Sequence, residues 1–224
     1  MKLVYYNLNL VLDIKEGAVN SIVLESPEWL ERFIMDLQDS IENGAEEVAL
    51  YNSQDDPLDL HRKCELIISP FDLTFDKKEI QRKLFQELQS TILDENFIED
   101  FSRIQSEIIQ LLDRMGEASD YGLDFEAELD LPALFRMYHL HIQDPQGHFD
   151  EKLIEYIVTM KKLTGKQVFA LANCEAFLAE SSYRYLEECA AYYDLSLLFI
   201  SNRQIELLKD KNTYIIDMDL CELH

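Results

Sequence analysis

The sequence predicts an α/β fold in which a mostly parallel sheet is interrupted by a long helical hairpin. Short apolar runs of strand length alternate with helical patterns over the first ~70 residues and again after residue 140. Between them, residues 75 to 115 carry apolar side chains at helical spacing and contain neither Gly nor Pro. With 224 residues, 47% of them hydrophobic, the chain can bury a sizeable core.

Residues 1–72 supply the first half of the predicted head domain. Two strand-like runs, "LVYYNLNLVLDI" and "NSIVLES", come first. The next segment, "SPEWLERFIMDLQDSIENG", is typical of a helix: Ser26 precedes Pro27 at the first helical position, and Gly44 is the stop signal. The runs "EEVALYN" and "CELIISP" are predicted to be further short strands.

Residues 73–138 form the predicted leg domain. Apolar residues of its first arm, Ile80, Leu84 and Leu88, step by four. Those of its second arm step by 4, 3, 4, 3 and 4, the spacing of a coiled-coil seam, which we interpret as structural. The seam residues are Phe97, Phe101, Ile104, Ile108, Leu111 and Met115. With a polar break near "LDEN", two long helices are predicted to form a hairpin.

Residues 139–224 complete the head. The pattern predicts a helix in "FDEKLIEYIVTMKKLTGK", a strand in "QVFALAN", a helix in "SSYRYLEECAAYYD", a strand in "LSLLFISN" and a last strand in "NTYIID". Two buried runs joined by a helix, residues 168–171 and 195–200, indicate a βαβ unit of a parallel sheet. The head is therefore expected to combine residues 1–72 with residues 139–224.

Charge narrows the possible partners. The chain carries 44 acidic residues against 20 Lys and Arg, a formal net charge of -24. At long range such a charge repels nucleic acids and anionic membranes. A DNA-binding function would therefore require a local basic patch or bound cations.

The sequence predicts a cytoplasmic protein without a membrane partner. Its N-terminus lacks an uncharged apolar region followed by a small-residue cleavage site, and no run of ~18 apolar residues occurs. The four cysteines are far apart, at positions 64, 174, 189 and 221, and form no C-x-x-C pair. We expect them to be reduced and buried.

Enzyme motifs are missing, so a non-catalytic binding protein is predicted. The six glycines form no dinucleotide fingerprint, and neither a G-x-S-x-G elbow nor H-E-x-x-H occurs. A phosphate loop ending at Lys166 would need Gly at 160 and Ser or Thr at 167, where the chain has Met160 and Gln167. His139 and His141 lack a third ligand at metal-binding spacing and are interpreted as ordinary histidines.

The stretch "YGLDFEAELDLP" at residues 121–132 has an acid at every second position. One interpretation is a solvated strand face, and the other is an oxygen cage for a hard divalent cation. An EF-hand loop starting at Asp124 is excluded. Its sixth position, which requires Gly, is Leu129, and its twelfth, which requires a bidentate Glu, is Phe135. Mutual repulsion among so many carboxylates favours a cation, and their crowding favours calcium. The candidate ligands are Asp124, Glu126, Glu128 and Asp130, with Glu117 and Asp120 just upstream.

The order of these segments resembles a known family over essentially the whole chain. "ELIISPFDLTFDKKEI" leads into the hairpin, and "LDFEAELDLPALF", "KKLTGKQVFALANCEAFL" and "LSLLFISNRQIELL" follow it. The spacing of the last hundred residues carries the match: an apolar strand ending in Asn, then "AFL", then "LLFI". The chain is similar to the short form of the type II-A CRISPR adaptation proteins, the Csn2-like ring-forming factors.

The resemblance implies a head with degenerate P-loop-NTPase-like topology, a helical leg and a homotetrameric ring. The positively lined hole of such a ring takes double-stranded DNA, and calcium bound near the leg stabilises it. The family has no known catalytic role. It binds DNA ends and supports spacer acquisition beside the CRISPR integrase pair and effector nuclease. The resemblance assigns calcium binding to the acidic stretch described above.

A tetramer of so acidic a chain could thread DNA only if its bases concentrate on one inner surface. Contacts to phosphate are independent of sequence and sensitive to salt. The candidate DNA-binding residues are Lys161, Lys162, Lys166, Lys77, Lys78, Arg82, Lys83, Arg184 and Arg203.

Two alternatives remain open from the sequence. One is an α/β enzyme with a degenerate nucleotide site at the "TGK" turn. The other is a protein-interaction scaffold without DNA binding, in which the hairpin recognises other proteins and the acidic face mimics or repels nucleic acid.

Overall fold

A computed structural model describes residues 1–92, 95–208 and 212–223. The chain divides into two compact units, which we call the sheet unit (Met1–Thr74 with Asp144–His224) and the helical unit (Phe75–Gln143). The expected boundaries lay at residues 72/73 and 138/139. Helices and sheets occur together, so the predicted mixed α/β class is confirmed. None of the described helices is long and apolar enough to cross a membrane.

The strands all belong to the sheet unit. They are β1 (Lys2–Tyr5), β2 (Leu10–Asp13), β3 (Ala18–Leu24), β4 (Val48–Tyr51), β5 (Pro57–Leu58), β6 (Cys64–Ile67), β7 (Val168–Ala172), β8 (Ser196–Ser201), β9 (Asn212–Ile216) and β10 (Glu222–Leu223). The helices of this unit are α1 (Pro27–Glu42), α2 (Leu60–Lys63), α6 (Phe149–Thr164) and α7 (Glu180–Tyr193), and those of the helical unit are α3 (Lys78–Ile92), α4 (Glu95–Glu117) and α5 (Leu131–Met137).

A six-stranded sheet forms the centre of the sheet unit, in the order β10-β9-β3-β8-β7-β6. Neighbours from β9 to β6 are parallel, and β10 pairs antiparallel with β9. Every residue of β7 and β8 is buried, as expected for parallel strands covered on both faces. Continuous apolar runs at residues 168–172 and 197–200, and not an alternating pattern, are therefore what the fold requires.

The N-terminal run predicted as one strand is a hairpin instead. A 3-10 turn at Tyr6–Leu8 is followed by Asn9 in the left-handed conformation (φ 50°), and the chain reverses there. Asn tolerates this conformation better than most residues. As a result β1 pairs with β2, and both belong to a second, antiparallel sheet of order β2-β1-β4-β5.

The main core lies between the two sheets and α1. Side chains from both sheets and the helix, including Leu12, Phe33 and Leu198, form one buried cluster. The ring of Tyr5 packs edge-on against Phe33 at 5.0 Å. The opposite face of the parallel sheet packs on α7, where Tyr183 contacts Phe199. Leu198 faces the main core and Phe199 faces α7, because successive strand residues point to opposite sides of a sheet.

In its described residues the helical unit contains the three helices α3, α4 and α5. Its α3 ends at Ile92 and α4 begins at Glu95, so the predicted "LDEN" break falls partly outside the described residues. The short helix α5 packs on α3, with the rings of Phe85 and Phe135 5.3 Å apart. At the point where this unit is inserted, Thr74 donates to both carboxylate oxygens of Asp144 at 3.0 and 3.1 Å.

Candidate nucleic-acid interface

Helices α3 and α5 form a groove of about 360 Å³ that we call the basic groove. Among the described residues its lining includes three cations, three amides and no acid. The polar lining residues are Lys78, Gln81, Arg82, Gln86, Gln89 and Arg136, and Phe85 and Pro132 complete the wall. In a chain of net charge -24, a groove lined by bases without acids is a local reversal of sign.

Helical spacing and one aromatic contact produce this groove. Lys78, Arg82 and Gln86 are four residues apart and therefore share one face of α3. Phe85 packs against Phe135, which is buried and immediately precedes Arg136 in α5. Because this contact holds α5 against α3, it also places the Arg136 side chain beside the bases of α3.

Two lining residues, Gln81 and Arg136, have polar contacts with acids beside the groove. Gln81 donates to the Asp76 carboxylate at 2.9 Å. Arg136 lies 3.9 Å from the carboxylate of Asp130, and both side chains are 63% exposed. An exposed pair at that separation contributes little energy, so Arg136 can exchange this partner for another anion.

Four of the predicted DNA-binding residues cluster at the start of α3. Lys77, Lys78 and Arg82 are exposed, and Lys83 is partly exposed. Of these four, Lys78 and Arg82 line the basic groove. Arg136 was not predicted from the sequence, because its place beside them depends on how α5 packs.

Lys166 is the one predicted DNA-binding residue that the fold buries. It is 4% exposed, and its ammonium group is paired with the carboxylate of Glu65, which is 8% exposed and also accepts a hydrogen bond from Tyr156 at 3.1 Å. The prediction that Lys166 contacts DNA is therefore wrong for this conformation, since no phosphate could reach it. Burial raises the pKa of the neighbouring Cys64 to about 12, although Lys166 lowers it in part.

The other predicted bases belong to the sheet unit. Lys161 donates to the carbonyl oxygens of Tyr193 and Asp194, where a cation stabilises the C-terminal end of α7. Lys162 is exposed one residue further along α6. Arg184 is exposed on α7 and paired with Glu180 at 2.9 Å.

Arg203 is exposed in the bend after β8. It belongs to the sheet unit, whereas the bases at the start of α3 belong to the helical unit.

The acidic stretch is irregular, so its interpretation as a strand face is wrong. Between α4 and α5 no described residue is in a strand. Gln105 of α4 donates to the carbonyl oxygen of Ala127 at 2.9 Å and holds the middle of the segment. Asp130 accepts a hydrogen bond from the backbone N–H of Ala133 at 3.1 Å and caps α5.

The candidate calcium ligands are not gathered into one cluster in the part of the chain that the structure describes. All six carboxylates, Glu117, Asp120, Asp124, Glu126, Glu128 and Asp130, are exposed. Within the described ranges, no group of three or more His, Cys, Asp or Glu side chains could hold a metal ion. A calcium ion needs six to eight oxygens at once, so these carboxylates would have to come together, with backbone carbonyls or water, to hold one.

The described residues give no support to a nucleotide site. Gly165 ends α6 in the left-handed conformation and Lys166 precedes β7, at the amino end of that strand. Ligands of open parallel sheets bind beyond the carboxyl ends of the strands. At the carboxyl end of β3, only Glu25 and Ser26 lead into α1, so no glycine-rich loop is present there to hold phosphates.

A larger groove of the sheet unit has the opposite character. It measures about 920 Å³ and includes the acids Glu42, Glu46 and Glu47 in its lining. The hydroxyl groups of Tyr6 and Tyr51 meet in it at 2.7 Å. Its charge would repel a polyanion, which restricts the candidate nucleic-acid interface to other surfaces.

The predicted seam of α4 is largely exposed. Five of its six residues, namely Phe97, Ile104, Ile108, Leu111 and Met115, expose 37–55% of their surface. Apolar residues repeated at this spacing along more than five turns form a continuous stripe. A stripe of this size typically marks an interface with another protein surface.

The family model described as "CRISPR-associated protein (Cas_Csn2)" matches residues 41–220. The match covers more than half of the chain and includes the basic groove, the seam and the acidic stretch. Among curated proteins, none matches the chain.

Proposed function

Because the chain belongs to the Csn2 family of CRISPR-associated proteins, we propose that it is a non-catalytic, double-stranded-DNA-binding ring protein that supports spacer acquisition. The single observation that carries the DNA-binding part is the cluster of Lys77, Lys78, Arg82 and Lys83 at the start of α3. These bases offer phosphate contacts without sequence preference. The integrase pair and effector nuclease are the proposed partners, and the cytoplasm is the proposed compartment.

The proposed ring consists of four copies, and the seam of α4 is its proposed contact. A stripe with coiled-coil spacing packs best against another helix of the same spacing, and a second copy supplies one. Mutual repulsion between chains of net charge -24 opposes this assembly. Added salt should therefore strengthen assembly by screening the charges, while it weakens the binding of DNA.

Calcium is proposed as a ligand of the assembled ring and not of the single chain. The proposed donors are the six carboxylates at positions 117, 120, 124, 126, 128 and 130, which would have to be gathered from their separate, exposed positions. Titration calorimetry with calcium chloride tests the proposal. Replacing Asp124, Glu126 and Glu128 by their amides should abolish the binding heat. If the triple variant binds calcium as the wild type does, these residues are not the ligands.

The degenerate P-loop-NTPase-like topology is also a proposal. Numbered by their order in the chain, the five parallel strands lie in the spatial order fifth, first, fourth, third and second, which supports a relationship to nucleotide hydrolases. The missing phosphate loop supports the absence of hydrolysis. Wild-type protein that hydrolyses ATP or GTP, with activity lost in Lys166→Ala, would favour the enzyme alternative.

The main experiment joins light scattering after size exclusion with gel-shift assays on linear and closed circular duplex. We expect a tetramer that binds linear duplex, releases it as salt rises, and binds a closed circle poorly because a ring has to thread a free end. A chelator should weaken binding. A stable monomer that shifts neither substrate at low salt would refute the proposal.

A protein-interaction scaffold is the second candidate, because the exposed seam would equally suit another protein's helix. It predicts no duplex binding at low salt. Assembly that is unchanged in Asp124→Ala, Glu126→Ala and Glu128→Ala together would also favour it.

A further inference from the structure

We propose that the basic groove is a phosphodiester-binding site, in which Arg82, Arg136 and Lys78 hold the backbone of one DNA strand. This inference rests on the proposed function and adds to it a place on the fold and a residue, Arg136, that lies 54 positions beyond Arg82 in the sequence. The groove is built entirely within the helical unit.

The chemistry of the lining selects an anion. Lys and Arg side chains are donors only, and the planar guanidinium groups of Arg82 and Arg136 can each hold two phosphate oxygens at once. The amides of Gln86 and Gln89 add uncharged donors that can hydrogen-bond an anion, and Gln81 adds a third, which here donates to Asp76. No acid of the described residues lines the groove, and the nearby Asp76 and Asp130 contact it through Gln81 and Arg136.

The regular spacing of the donors along α3 favours a polymeric anion over a single phosphate. Lys78, Arg82 and Gln86 follow each other at one turn of α3, which corresponds to steps of about 6 Å along the helix axis. A phosphodiester chain presents its successive charges at a comparable interval. The N-terminal end of α3 also lies at Lys78, where the helix dipole adds positive potential.

The site is held in shape before any ligand arrives. Phe85 lies in the groove wall and packs on Phe135, so the base next to it, Arg136, is carried on a helix fixed against α3. Among the residues that the structure describes, Arg136 has one charged partner, Asp130 at 3.9 Å, which an exposed phosphate can displace at small cost. Preorganisation of this kind reduces the entropy lost on binding.

The test compares Arg82→Gln, Arg136→Gln and the double variant with wild type. Arg103→Gln is the matched control, because Arg103 is also exposed in the helical unit, on α4, but is held by Asp100 and Glu107 outside the groove. Affinity for a fluorescent 20-base-pair duplex is measured by anisotropy over a series of salt concentrations. Circular dichroism melting confirms that each variant is folded.

We expect each groove variant to bind several-fold more weakly and to lower the slope of log K against log salt by about one, whereas Arg103→Gln changes neither. Hydrogen exchange should slow along α3 when duplex binds wild type. If wild type binds duplex and the double variant binds it with the same affinity and slope, the groove inference is wrong and the proposed function stands.

Two further outcomes separate the alternatives. If wild type fails to bind duplex at low salt, the proposed function itself fails and the inference fails with it. A synthetic peptide of residues 117–130 tests an acidic protein segment as the occupant. If this peptide binds wild type and loses affinity in the double variant while duplex binding is unchanged, the groove is a protein site and the inference is overturned.

Discussion

Lys166 and Glu65, 101 residues apart in the chain, form an ion pair in the interior of the sheet unit. The pair joins the segment before β7 to the edge strand β6, and the Tyr156 hydroxyl of α6 donates to the same carboxylate. A lysine that would be taken for a phosphate ligand from its sequence neighbours is thus part of the packing of the sheet.

Lys166→Met should destabilise the fold without a direct effect on DNA binding. The change leaves the buried Glu65 carboxylate without its cation, a loss that typically costs about 3–5 kcal/mol. Urea unfolding of wild type and Lys166→Met measures this difference in the free energy of unfolding. Lys166→Met combined with Glu65→Gln should recover much of the loss, because no unpaired charge remains and Tyr156 keeps an acceptor. Equal destabilisation in both variants would contradict this role for the pair.

Asp130 should have two separable effects, one on the stability of α5 and one on the charge beside Arg136. Asp130→Ala removes the N-cap and should cost about 1 kcal/mol, whereas Asp130→Asn keeps a capping acceptor and should cost little. Thermal melting distinguishes them. With a chelator present, Asp130→Asn should also bind duplex more tightly than wild type, because the acid near Arg136 is gone. Equal melting of both variants would argue against the cap.

Ile108→Asp should disrupt the proposed assembly. Ile108 lies in the middle of the seam, so its replacement puts a charge where two copies would bury apolar surface. Light scattering should then record a smaller particle. Ser106→Asp is the control, since Ser106 is exposed on α4 outside the seam and gains the same charge. If Ile108→Asp and Ser106→Asp form particles of the same mass, the seam is not part of the interface.

Cys221 should be the first of the four cysteines to react with a thiol reagent. It is exposed, whereas Cys64, Cys174 and Cys189 are buried. Burial also raises the pKa of Cys64 and of Cys174 to about 12, so few of their thiols are ionised at neutral pH. Reaction with a chromogenic disulfide should give one fast equivalent, which Cys221→Ser removes. A fast phase that survives in Cys221→Ser would contradict the described burial.

Tyr5 should make stability depend on alkaline pH. Burial, together with its hydrogen bond to Asp36 at 2.8 Å, raises the pKa of Tyr5 to about 12 from 10.0. The unfolded chain ionises first, so the contribution of Tyr5 is complete below pH 10 and declines as the pH rises toward 12. Urea unfolding between pH 9 and 12 should give a flatter profile for Tyr5→Phe. A profile as steep as that of wild type would assign the alkaline loss to other groups.

Local pattern was sufficient for most elements of the fold. Buried runs predicted β7 and β8 because strands covered on both faces need apolar residues throughout, and Pro27 marked the start of α1. The local pattern did not predict the N-terminal hairpin, where the left-handed conformation of Asn9 reverses the chain. The family was predicted from the order of the segments and is confirmed.

The candidate site was less predictable, because it depends on contacts between distant residues. Lys78 and Arg82 could be named from the sequence, but Arg136 joins them only through the packing of Phe85 on Phe135. The burial of Lys166 depends in the same way on Glu65. Alternating acids suggested a strand, yet an isolated run with no neighbouring strand to pair with does not form one.

The hydrogen bonds between Thr74 and Asp144 make the architecture modular. They hold the two ends of the insertion side by side on the sheet unit, so the sheet can close whatever length of chain lies between them. A short glycine linker from residue 74 to 144 could replace the whole helical unit, and an insertion of another length could be grafted at the same place. The length of the leg can therefore change without requiring any change in the sheet that carries it.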